Sequence, residues 1–543
     1  MDTRVQGHIE SPDGHSPLDR EYIHVSGWAV GLSSPVARVE ILVDGQLKGR
    51  AGLGRFRPDV ALALNNEAAE LSGFELTIDL AGDDSVGDRA ALSARVTLLD
   101  GTKAILWPKE LVLHPTVPSP SSALPEPRRL RPRDGAVRLL CLARSLDYGG
   151  SQLRLRELMQ HLSSLGNFET TVISPADGPL KHDLQAAGVT VRIAEISLDD
   201  SAKYDQQVNE LAAWAAGRFD IVLATTLTSF AGVELAEKLQ LPVVWRIGEA
   251  EPLRKVAYWL GSTLHPELET RARRAYGAAS AVLFNSEYAL QIHRRYGPSD
   301  RFAVLGTGTD ILRAHAYIEL HTRSACRRQL GIAKGDRVLI CAGTLWPVKG
   351  QTQLVAALAH ASIDRSRTKC FLIGQFRDED AELIRRLVRR HQLDESVRLI
   401  QYCQDLRPWW RAADAVLCPS ESESMSSSVL EAMAFGLPVL ACRVGGLPEI
   451  VKDGANGWLC EAGDLNSLVD GLTRVAAAST EQIRRLGRRG ARVAANAHDQ
   501  SILLPMMSDL MLQLSRGSRP RWLEDQFSSR GRSPAMLLAL ADE

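Results

Sequence analysis

Residues 418–450 read CPSESESMSSSVLEAMAFGLPVLACRVGGLPEI, a segment that follows an apolar strand pattern and continues through a turn into a helix. The helix pattern carries Val429, Leu430 and Met433 on its apolar side. Small and flexible residues at 424–428 come at the start of that helix, where backbone N–H groups and the helix dipole favour an anion. The segment therefore predicts an anion-binding turn that joins a buried strand to a helix.

Short apolar strands alternate with amphipathic helices before and within this segment. The apolar runs are VRLLCLA (137–143), TTVISP (170–175), VTVRIAEI (189–196), DIVLATT (220–226), LPVVWRIG (241–248) and SAVLFNS (280–286), then RVLICAG (337–343), KCFLIGQ (369–375), SVRLIQY (396–402), AVLCPS (415–420) and PVLACRV (438–444). This alternation predicts an α/β fold with doubly wound parallel sheets. We expect one Rossmann-like domain at 135–318, a second at 319–515 with a hinge near residue 320, and a tail at 516–543. Ligands bind beyond the carboxyl ends of such strands, so two facing halves would form one cleft.

The N-terminal part of the chain has a different, strand-like periodicity. Phe74, Leu76, Ile78 and Leu80 alternate with polar residues, and Asp44-Gly45 is a hairpin signal. Residues 1–115 therefore predict a small all-β sandwich, interpreted first as a spacer or docking module without a ligand. Dense proline then indicates an extended linker at 116–134. Its arginines could contact anionic lipid, although a solvated linker is favoured; they are Arg128, Arg129, Arg131 and Arg133.

The segment at 418–450 resembles the large family of retaining GT-B glycosyltransferases that includes glycogen synthases, sucrose synthases and many bacterial mannosyl- and glucosyltransferases. The matching positions are Glu423, Glu431-Ala432-Met433-Ala434, Gly436-Leu437-Pro438-Val439, Gly445-Gly446 and Pro448-Glu449-Ile450. The resemblance implies a GT-B fold in which Glu423 contacts the donor sugar and Glu431 binds the ribose hydroxyls. It also implies that the turn holds sugar or phosphate oxygens, through Ser424, Met425, Ser426 and Ser427. Here the turn reads Ser-Met-Ser where the family usually has Gly-Phe-Gly. The N-terminal domain resembles Ig-like accessory modules.

A second motif, CAGTLWPVKG at 341–350, predicts a strand that ends at Gly343 and a helix that begins after Gly350. Lys349 can then reach the cleft and stabilise the charge that develops on a departing nucleoside diphosphate. The family usually supplies an arginine as a second cation, and this chain has Thr344 there. We therefore expect one cation and one hydroxyl donor for the diphosphate.

The first Rossmann-like half carries two weaker signals for a phosphate or acceptor loop. Gly149 and Gly150 allow close approach between the first strand and the first helix. In LPVVWRIGEAEP, Gly248-Glu249 stands where many relatives have a histidine before an acidic residue. That histidine contacts the donor sugar in the family, so either Arg246 or Glu249 replaces it here or activity is impaired.

Composition indicates an ordinary soluble protein. The 543 residues include 64 Lys and Arg against 65 Asp and Glu, so the net charge of the chain gives no overall electrostatic attraction to nucleic acid. The cysteines lie mostly in apolar runs without metal-ligand spacing, which is typical of buried free thiols in a reducing compartment. The N-terminus lacks a secretory signal pattern, and no apolar run is long enough to span a bilayer. We expect cytoplasmic action, with peripheral contact at the inner membrane face left open.

The resemblance implies a retaining, metal-independent hexosyltransferase that uses a UDP- or GDP-linked sugar and no cofactor. The acceptor would be a glycan, a lipid-linked glycan or a small molecule, with a role in cell-surface polysaccharide biosynthesis. Asp378-Glu379-Asp380 matches the acidic string of metal-dependent enzymes but opens a polar helix, and DYGGSQ does not supply the GxGxxG of a dehydrogenase. The alternative is a catalytically weakened GT-B protein that acts as a glycan-binding or scaffold subunit.

Overall fold

The structure is a computed structural model, and it describes residues 4–13, 18–114, 135–259, 264–401 and 403–528. The predicted linker at 116–134, with its arginine cluster, lies outside the described residues. The chain divides into two compact units. Unit I consists of residues 1–118, 314–422 and 435–491, and unit II consists of residues 119–313, 423–434 and 492–543.

The N-terminal domain belongs to unit I and is made of antiparallel strands. They are β1 (Val5–Ser11), β2 (Ile23–Gly31), β3 (Val36–Val43), β4 (Gln46–Arg50), β5 (Gly52–Arg55), β6 (Gly73–Ile78), β7 (Arg89–Leu98) and β8 (Lys103–Val112), with the helix α1 (Pro58–Ala63) after β5. One sheet has the order β1-β2-β6-β5 and the other β4-β3-β7-β8. Both sheets contribute buried residues to one core, including Val25 and Phe74 from the first and Val39 and Leu92 from the second. The predicted small β domain is confirmed.

The predicted hairpin at Asp44-Gly45 joins β3 to β4, since Val43 pairs with Gln46 across the turn. Both turn residues have positive φ, 48° for Asp44 and 78° for Gly45. That conformation matches the right-handed twist of the two strands, and Asp-Gly is a preferred sequence for it.

The first Rossmann-like domain belongs to unit II. Its elements are β9 (Val137–Leu142), α2 (Gly150–Leu165), β10 (Phe168–Ser174), α3 (Leu180–Ala186), β11 (Thr190–Ile193), α4 (Ser201–Ala215), β12 (Ile221–Thr225), α5 (Ala231–Leu239), β13 (Val243–Ile247), α6 (Leu253–Trp259), α7 (Pro266–Ala278), β14 (Ala281–Phe284), α8 (Glu287–His293) and β15 (Phe302–Val304). The parallel sheet has the order β11-β10-β9-β12-β13-β14-β15. Apart from the exposed edge strand β11, the strands contribute buried residues to both faces of the sheet, which explains their nearly continuous apolar runs.

The second Rossmann-like sheet belongs to unit I. After α9 (Ile311–Leu320) and α10 (Arg323–Gln329) come β16 (Arg337–Ala342), α11 (Gln351–His360), β17 (Thr368–Gly374), α12 (Asp378–Arg390), β18 (Val397–Gln401), α13 (Arg407–Ala412), β19 (Ala415–Cys418), α14 (Ser427–Ala434), β20 (Val439–Cys442), α15 (Leu447–Ile450), β21 (Gly457–Cys460), α16 (Leu465–Ala477), α17 (Thr480–Ala497), α18 (Gln500–Ser515) and α19 (Arg521–Ser528). The parallel order is β18-β17-β16-β19-β20-β21. Helix α14, between β19 and β20 in the chain, groups with unit II. The predicted α/β fold with two parallel sheets is confirmed.

The C-terminal helices require a correction to the predicted division at residue 515. Met507 and Leu510 of α18 pack in the core of unit II with Leu158 and Met159 of α2, although the sequence placed α18 in the second domain. Residues 516–528 are also more than a tail, because the side-chain amide of Gln526 bonds both backbone groups of Val304 at 2.9 and 3.2 Å. The apolar sides of these helices find their partners on the first sheet.

Among the residues described, none of the helices combines the length and apolar character needed to cross a bilayer. The described cysteines are free thiols, all buried except the half-buried Cys403. The prediction of buried free thiols is therefore confirmed for the others.

Candidate donor and acceptor sites

Within unit I, the turn that carries Lys349 lies against residues 419–421, which open the other predicted donor motif. Strand β16 ends at Ala342, and a short 3-10 turn, Pro347–Lys349, leads through Gly350 into α11. The backbone N–H of Glu421 donates to the carbonyl of Val348 at 2.8 Å. A Cβ added to Gly350 would lie 2.1 Å from the carbonyl oxygen of Pro419. The turn that carries Lys349 is therefore packed directly on the segment after β19.

The side chains of this motif differ in exposure. Lys349 is half-buried, whereas Thr344 is exposed and its carbonyl accepts a hydrogen bond from the Gln351 amide at 3.1 Å. Strand β17 ends at Gly374, where an added Cβ would come 2.0 Å from the carbonyl oxygen of Gly343. Backbone therefore packs tightly at the carboxyl ends of β16 and β17, where ligands bind in sheets of this kind.

In unit II, the segment 423–434 brings the serine-rich turn to the first Rossmann-like domain. Ser424, Met425 and Ser426 are buried, and α14 begins at Ser427. The Ser424 hydroxyl lies 3.3 Å from that of Ser286, which caps α8. An added Cβ at Gly150 would lie 4.0 Å from the Ser427 hydroxyl. The predicted glycine loop and the predicted anion-binding turn are thus neighbours.

Glu431, predicted to bind ribose, is held by a residue that the sequence did not identify. The Arg154 guanidinium on α2 donates to Glu431 Oε1 at 2.7 Å, to Glu157 Oε2 at 2.7 Å and to the carbonyl of Gly308 at 2.9 Å. Burial raises the pKa of Glu157, and the Arg154 charge partly offsets this rise. Arg154 lies one helical turn after Gly150 of the predicted phosphate or acceptor loop. That spacing is the sequence feature that could have indicated Arg154 as a residue of the site.

Arg246 lies near the end of β13, and Glu249 follows that strand. The Arg246 guanidinium donates to Asn285 Oδ1 and to the carbonyl of Gly306, both at 3.4 Å. Burial and the nearby Arg154 charge lower the pKa of Arg246 to about 10, so it stays protonated near neutral pH. Glu249 Oε2 accepts the N–H groups of Leu227 and Gly248 at 2.9 and 3.0 Å. Burial raises the pKa of Glu249, although these N–H bonds lower it.

Thr226 is a second residue near the site that the sequence did not identify. It follows β12 with φ +88°, a conformation that is strained for a β-branched residue. Its N–H donates to the carbonyl of Arg246 at 2.7 Å, and its carbonyl accepts the Trp245 indole N–H at 2.9 Å. These bonds hold the strained backbone beside Arg246, at the carboxyl edge of the sheet.

No group of three or more His, Cys, Asp or Glu side chains suited to a metal ion occurs in the described parts of the chain. The acidic string Asp378-Glu379-Asp380 opens α12, as predicted. Arg377 pairs with Asp380 at the exposed start of that helix, with 2.8 Å between Nε and Oδ2.

Two family models match the chain in tandem. Residues 148–313 match Glycosyltransferase Family 4, and residues 322–493 match Glycosyl transferases group 1. A D-inositol 3-phosphate glycosyltransferase of Streptomyces bingchenggensis is 28% identical over 371 residues, covering 64% of this chain and 80% of that protein.

Solved structures also match the chain. Anabaena Alr3699/HepE, in complex with UDP and glucose, is 22% identical with a TM-score of 0.58, covering 68% of this chain and 98% of that one. WaaG, a glycosyltransferase involved in lipopolysaccharide biosynthesis, is 18% identical with a TM-score of 0.55, covering 69% and 99%. The Rossmann-like sheets and these structures define the GT-B fold, and both family models that match the chain are models of glycosyltransferases. Residues 322–493 are thus similar to the group 1 glycosyltransferases, and residues 148–313 are similar to Glycosyltransferase Family 4.

Proposed function

We propose that this protein transfers a hexosyl unit from a nucleoside diphosphate sugar to an acceptor hydroxyl, with retention of anomeric configuration. The supporting observation is the packing of the Pro347–Lys349 turn on the segment that follows β19. This packing holds the turn that carries Lys349, the cation predicted for the departing diphosphate, against the segment 419–422. Glu423 is the next residue in the chain. A fixed cation stabilises the leaving group more as its charge grows, which is what catalysis requires.

In the proposed step, the bond between the anomeric carbon and the diphosphate oxygen breaks. The acceptor oxygen bonds to the same face of that carbon, and its proton passes to an oxygen of the departing phosphate. Glu423 binds hydroxyls of the donor sugar, Glu431 binds the ribose, and the N–H groups at the start of α14 receive phosphate or sugar oxygens. Lys349 and Thr344 contact the diphosphate.

The donor carries UDP or GDP and is used without a metal ion or cofactor. UDP is the nucleotide in the Anabaena neighbour. Chelation with EDTA should leave turnover unchanged, since a lysine and helix N–H groups meet the diphosphate charge in this proposal. Loss of turnover on chelation, restored by Mn²⁺ or Mg²⁺, would overturn the metal-independent mechanism.

For the acceptor, we favour a hydroxylated molecule that carries a phosphate. Among the described residues, no carboxylate pairs with Arg246, and its partners are neutral carbonyl oxygens at 3.4 Å. A protonated guanidinium with weak neutral partners is suited to an anion. Inositol phosphate, named for the Streptomyces relative, and glycans linked to lipid through phosphate share this chemistry. The lipid-linked acceptor fits the hypothesis of cell-surface polysaccharide biosynthesis at the inner membrane face.

The test measures nucleotide release and product mass with UDP-glucose and GDP-mannose. Acceptors are inositol 3-phosphate, inositol and a phosphate-linked lipid glycan. We expect turnover with one donor, an α-linked product by NMR from an α-linked donor, and preference for a phosphorylated acceptor that Arg246→Met abolishes. Inverted product would overturn retention, and equal use of inositol would overturn the acceptor proposal. Absence of nucleotide binding and of donor hydrolysis would favour the glycan-binding or scaffold alternative.

A further inference from the structure

The N-terminal β domain is anchored to the second Rossmann-like sheet within unit I. Leu71 and Leu99 of the β domain pack against the apolar core of that sheet. Ion pairs flank this contact. They include Arg38–Asp464 at 3.3 Å, Arg50–Glu461 at 3.0 Å and Arg386–Glu70 at 2.7 Å, each measured between nitrogen and oxygen. The β domain is therefore a fixed neighbour of the sheet that carries Lys349.

Strand β5 brings one arginine to the donor segment. Arg55 Nη2 donates to Glu421 Oε2 at 2.5 Å, and its Nε donates to Glu75 Oε1 on β6 at 2.7 Å. The Arg55 and Glu421 side chains are only 15% and 12% exposed. Burial lowers the pKa of Arg55, but the two carboxylates outweigh it and raise the pKa above the ordinary value. A charge-assisted pair shielded from water is stronger than a surface pair.

The backbone of β5 also touches the donor motif directly. An added Cβ at Gly52 would lie 2.2 Å from Glu421 Oε2, and one at Gly54 would lie 2.6 Å from the side-chain nitrogen of Gln353 on α11. Gly54 has φ +76°, so only glycine adopts this close approach without strain. Strand β5 therefore fits against both parts of the donor motif, the segment after β19 and the first turn of α11.

Glu421 connects this contact to the proposed chemistry. Its N–H donates to the carbonyl of Val348, the residue before Lys349, at 2.8 Å. Glu423 follows two residues later in the chain. Arg55 thus holds, through one carboxylate, the segment that carries the proposed sugar ligand and the turn that carries the proposed phosphate ligand.

We propose that Arg55 is a positioning residue for the donor, through which the N-terminal β domain holds residues 419–422 and 347–350 in their nucleotide-binding conformation. This inference rests on the proposed function. When Arg55 is replaced, the Glu421 carboxylate remains shielded from water but loses this cation. The segment then lowers its free energy by moving so that water reaches the carboxylate. The interpretation of the β domain as a spacer would then be replaced by a role in donor binding.

The alternative is a role in domain attachment alone, and Arg50 provides the matched control. Arg50 pairs with Glu461 in the same contact between the β domain and the sheet, but Glu461 follows β21 rather than β19. Arg55→Ala and Arg50→Ala each remove one ion pair from this contact. Only Arg55→Ala removes the side chain that pairs with Glu421 in the segment after β19.

The experiment uses the full chain with Arg55→Ala, Arg55→Lys, Glu421→Gln and Arg50→Ala. Hydrogen exchange without ligand monitors peptides covering 347–353 and 419–426, and calorimetry measures the Kd for UDP and GDP. We expect faster exchange in both peptides and about 10-fold weaker nucleotide binding for Arg55→Ala. Glu421→Gln should behave similarly, Arg55→Lys should recover part of the affinity, and Arg50→Ala should match wild type in both measurements.

The two readouts separate this inference from the proposed function. Wild-type exchange and affinity in a folded Arg55→Ala protein would overturn the positioning role. Equal losses of affinity for Arg55→Ala and Arg50→Ala would overturn it as well, in favour of domain attachment. A third outcome combines faster exchange in Arg55→Ala, but not in Arg50→Ala, with a wild-type protein that binds neither UDP nor GDP. It would support the positioning of both segments and overturn the proposed donor.

Discussion

Arg154 on helix α2 donates to Glu431 on helix α14 across 2.7 Å, and the same guanidinium contacts Glu157 at 2.7 Å. Two carboxylates therefore share one cation at the start of α2. The Glu431 side chain is 32% exposed, which leaves it accessible to a ligand while Arg154 fixes its orientation. This arrangement suits a carboxylate that accepts hydrogen bonds from hydroxyl groups.

Glu431→Gln should raise the donor KM with kcat nearly unchanged. A carboxylate that binds ribose contributes equally in the ground state and the transition state, so its loss weakens binding without slowing the chemical step. Steady-state kinetics and the Kd for the nucleotide measure this. A large fall in kcat with unchanged nucleotide affinity would contradict the assigned role.

Arg154→Met should raise the donor KM by about 10-fold, because Glu431 loses its orienting partner and Glu157 is left without its cation. The matched control is Glu157→Gln, which keeps the bond between Arg154 and Glu431. We expect the control to bind donor as wild type does. If both variants weaken binding equally, the network stabilises α2 rather than positioning Glu431.

Lys349→Ala should lower kcat by about 100- to 1000-fold, roughly 2.7–4 kcal/mol, as is common when one preorganised donor to a developing charge is removed. Lys349→Arg should recover part of the rate, because it keeps the charge but not the geometry. The exposed Lys334 serves as the control, and Lys334→Ala should retain full activity. Turnover near wild type in a folded Lys349→Ala protein would show that the leaving group is stabilised elsewhere.

The sequence predicted the elements whose signals are local. The apolar runs became the strands of two parallel sheets, and the strand before Gly343 and the helix after Gly350 lie where CAGTLWPVKG indicated. The Asp-Gly turn formed the hairpin between β3 and β4. Residue periodicity and turn preferences act over a few positions, so one chain is enough to recognise them.

Contacts between distant residues were not predictable in the same way. Arg154 and Glu431 are 277 positions apart, and Arg55 and Glu421 are 366 positions apart. Arginine is common on helix and strand surfaces, and nothing in its neighbours specifies which carboxylate it meets. Helix α18 was misplaced for a related reason, since an apolar helix can pack on either sheet and only the folded chain selects one.

His293 should make folding stability depend on pH between about 4 and 6.5. Its Nδ1 accepts the Tyr276 hydroxyl at 2.7 Å, and its Nε2–H donates to the carbonyl of Glu249 at 3.1 Å. Burial lowers the pKa of His293 from 6.5 to about 4. The unfolded chain binds this proton more readily, so stability present above pH 6.5 is lost as the pH falls towards 4, by up to about 3 kcal/mol.

Urea unfolding of His293→Phe at pH 7 and pH 5 tests this prediction. The variant should be less stable at pH 7, because Tyr276 and Glu249 lose their hydrogen-bond partner. Its stability should also change less between the two pH values than that of wild type. Replacement of the exposed His8 by Gln should leave the wild-type pH dependence intact. The same pH dependence in His293→Phe as in wild type would place the titrating group elsewhere.

Gly350→Ala should damage the donor motif more than a glycine replacement with the same backbone strain elsewhere. Gly350 and Gly454 both have φ +71°, where an alanine costs about 1–2 kcal/mol. An added Cβ at Gly454 meets nothing within 4 Å, whereas at Gly350 it would lie 2.1 Å from the carbonyl oxygen of Pro419. Relief of that contact must move the Lys349 turn away from the segment leading to Glu423, or move that segment itself.

We therefore expect Gly454→Ala to lose stability while its donor KM and kcat stay near wild type. Gly350→Ala should lose about 1–3 kcal/mol more, the usual cost of overpacking, and should also raise the donor KM and lower kcat. Urea unfolding and steady-state kinetics on the two proteins provide the comparison. Equal loss of stability with unchanged kinetics would mean that the turn and the segment separate without consequence, and that their packing does not organise the donor site.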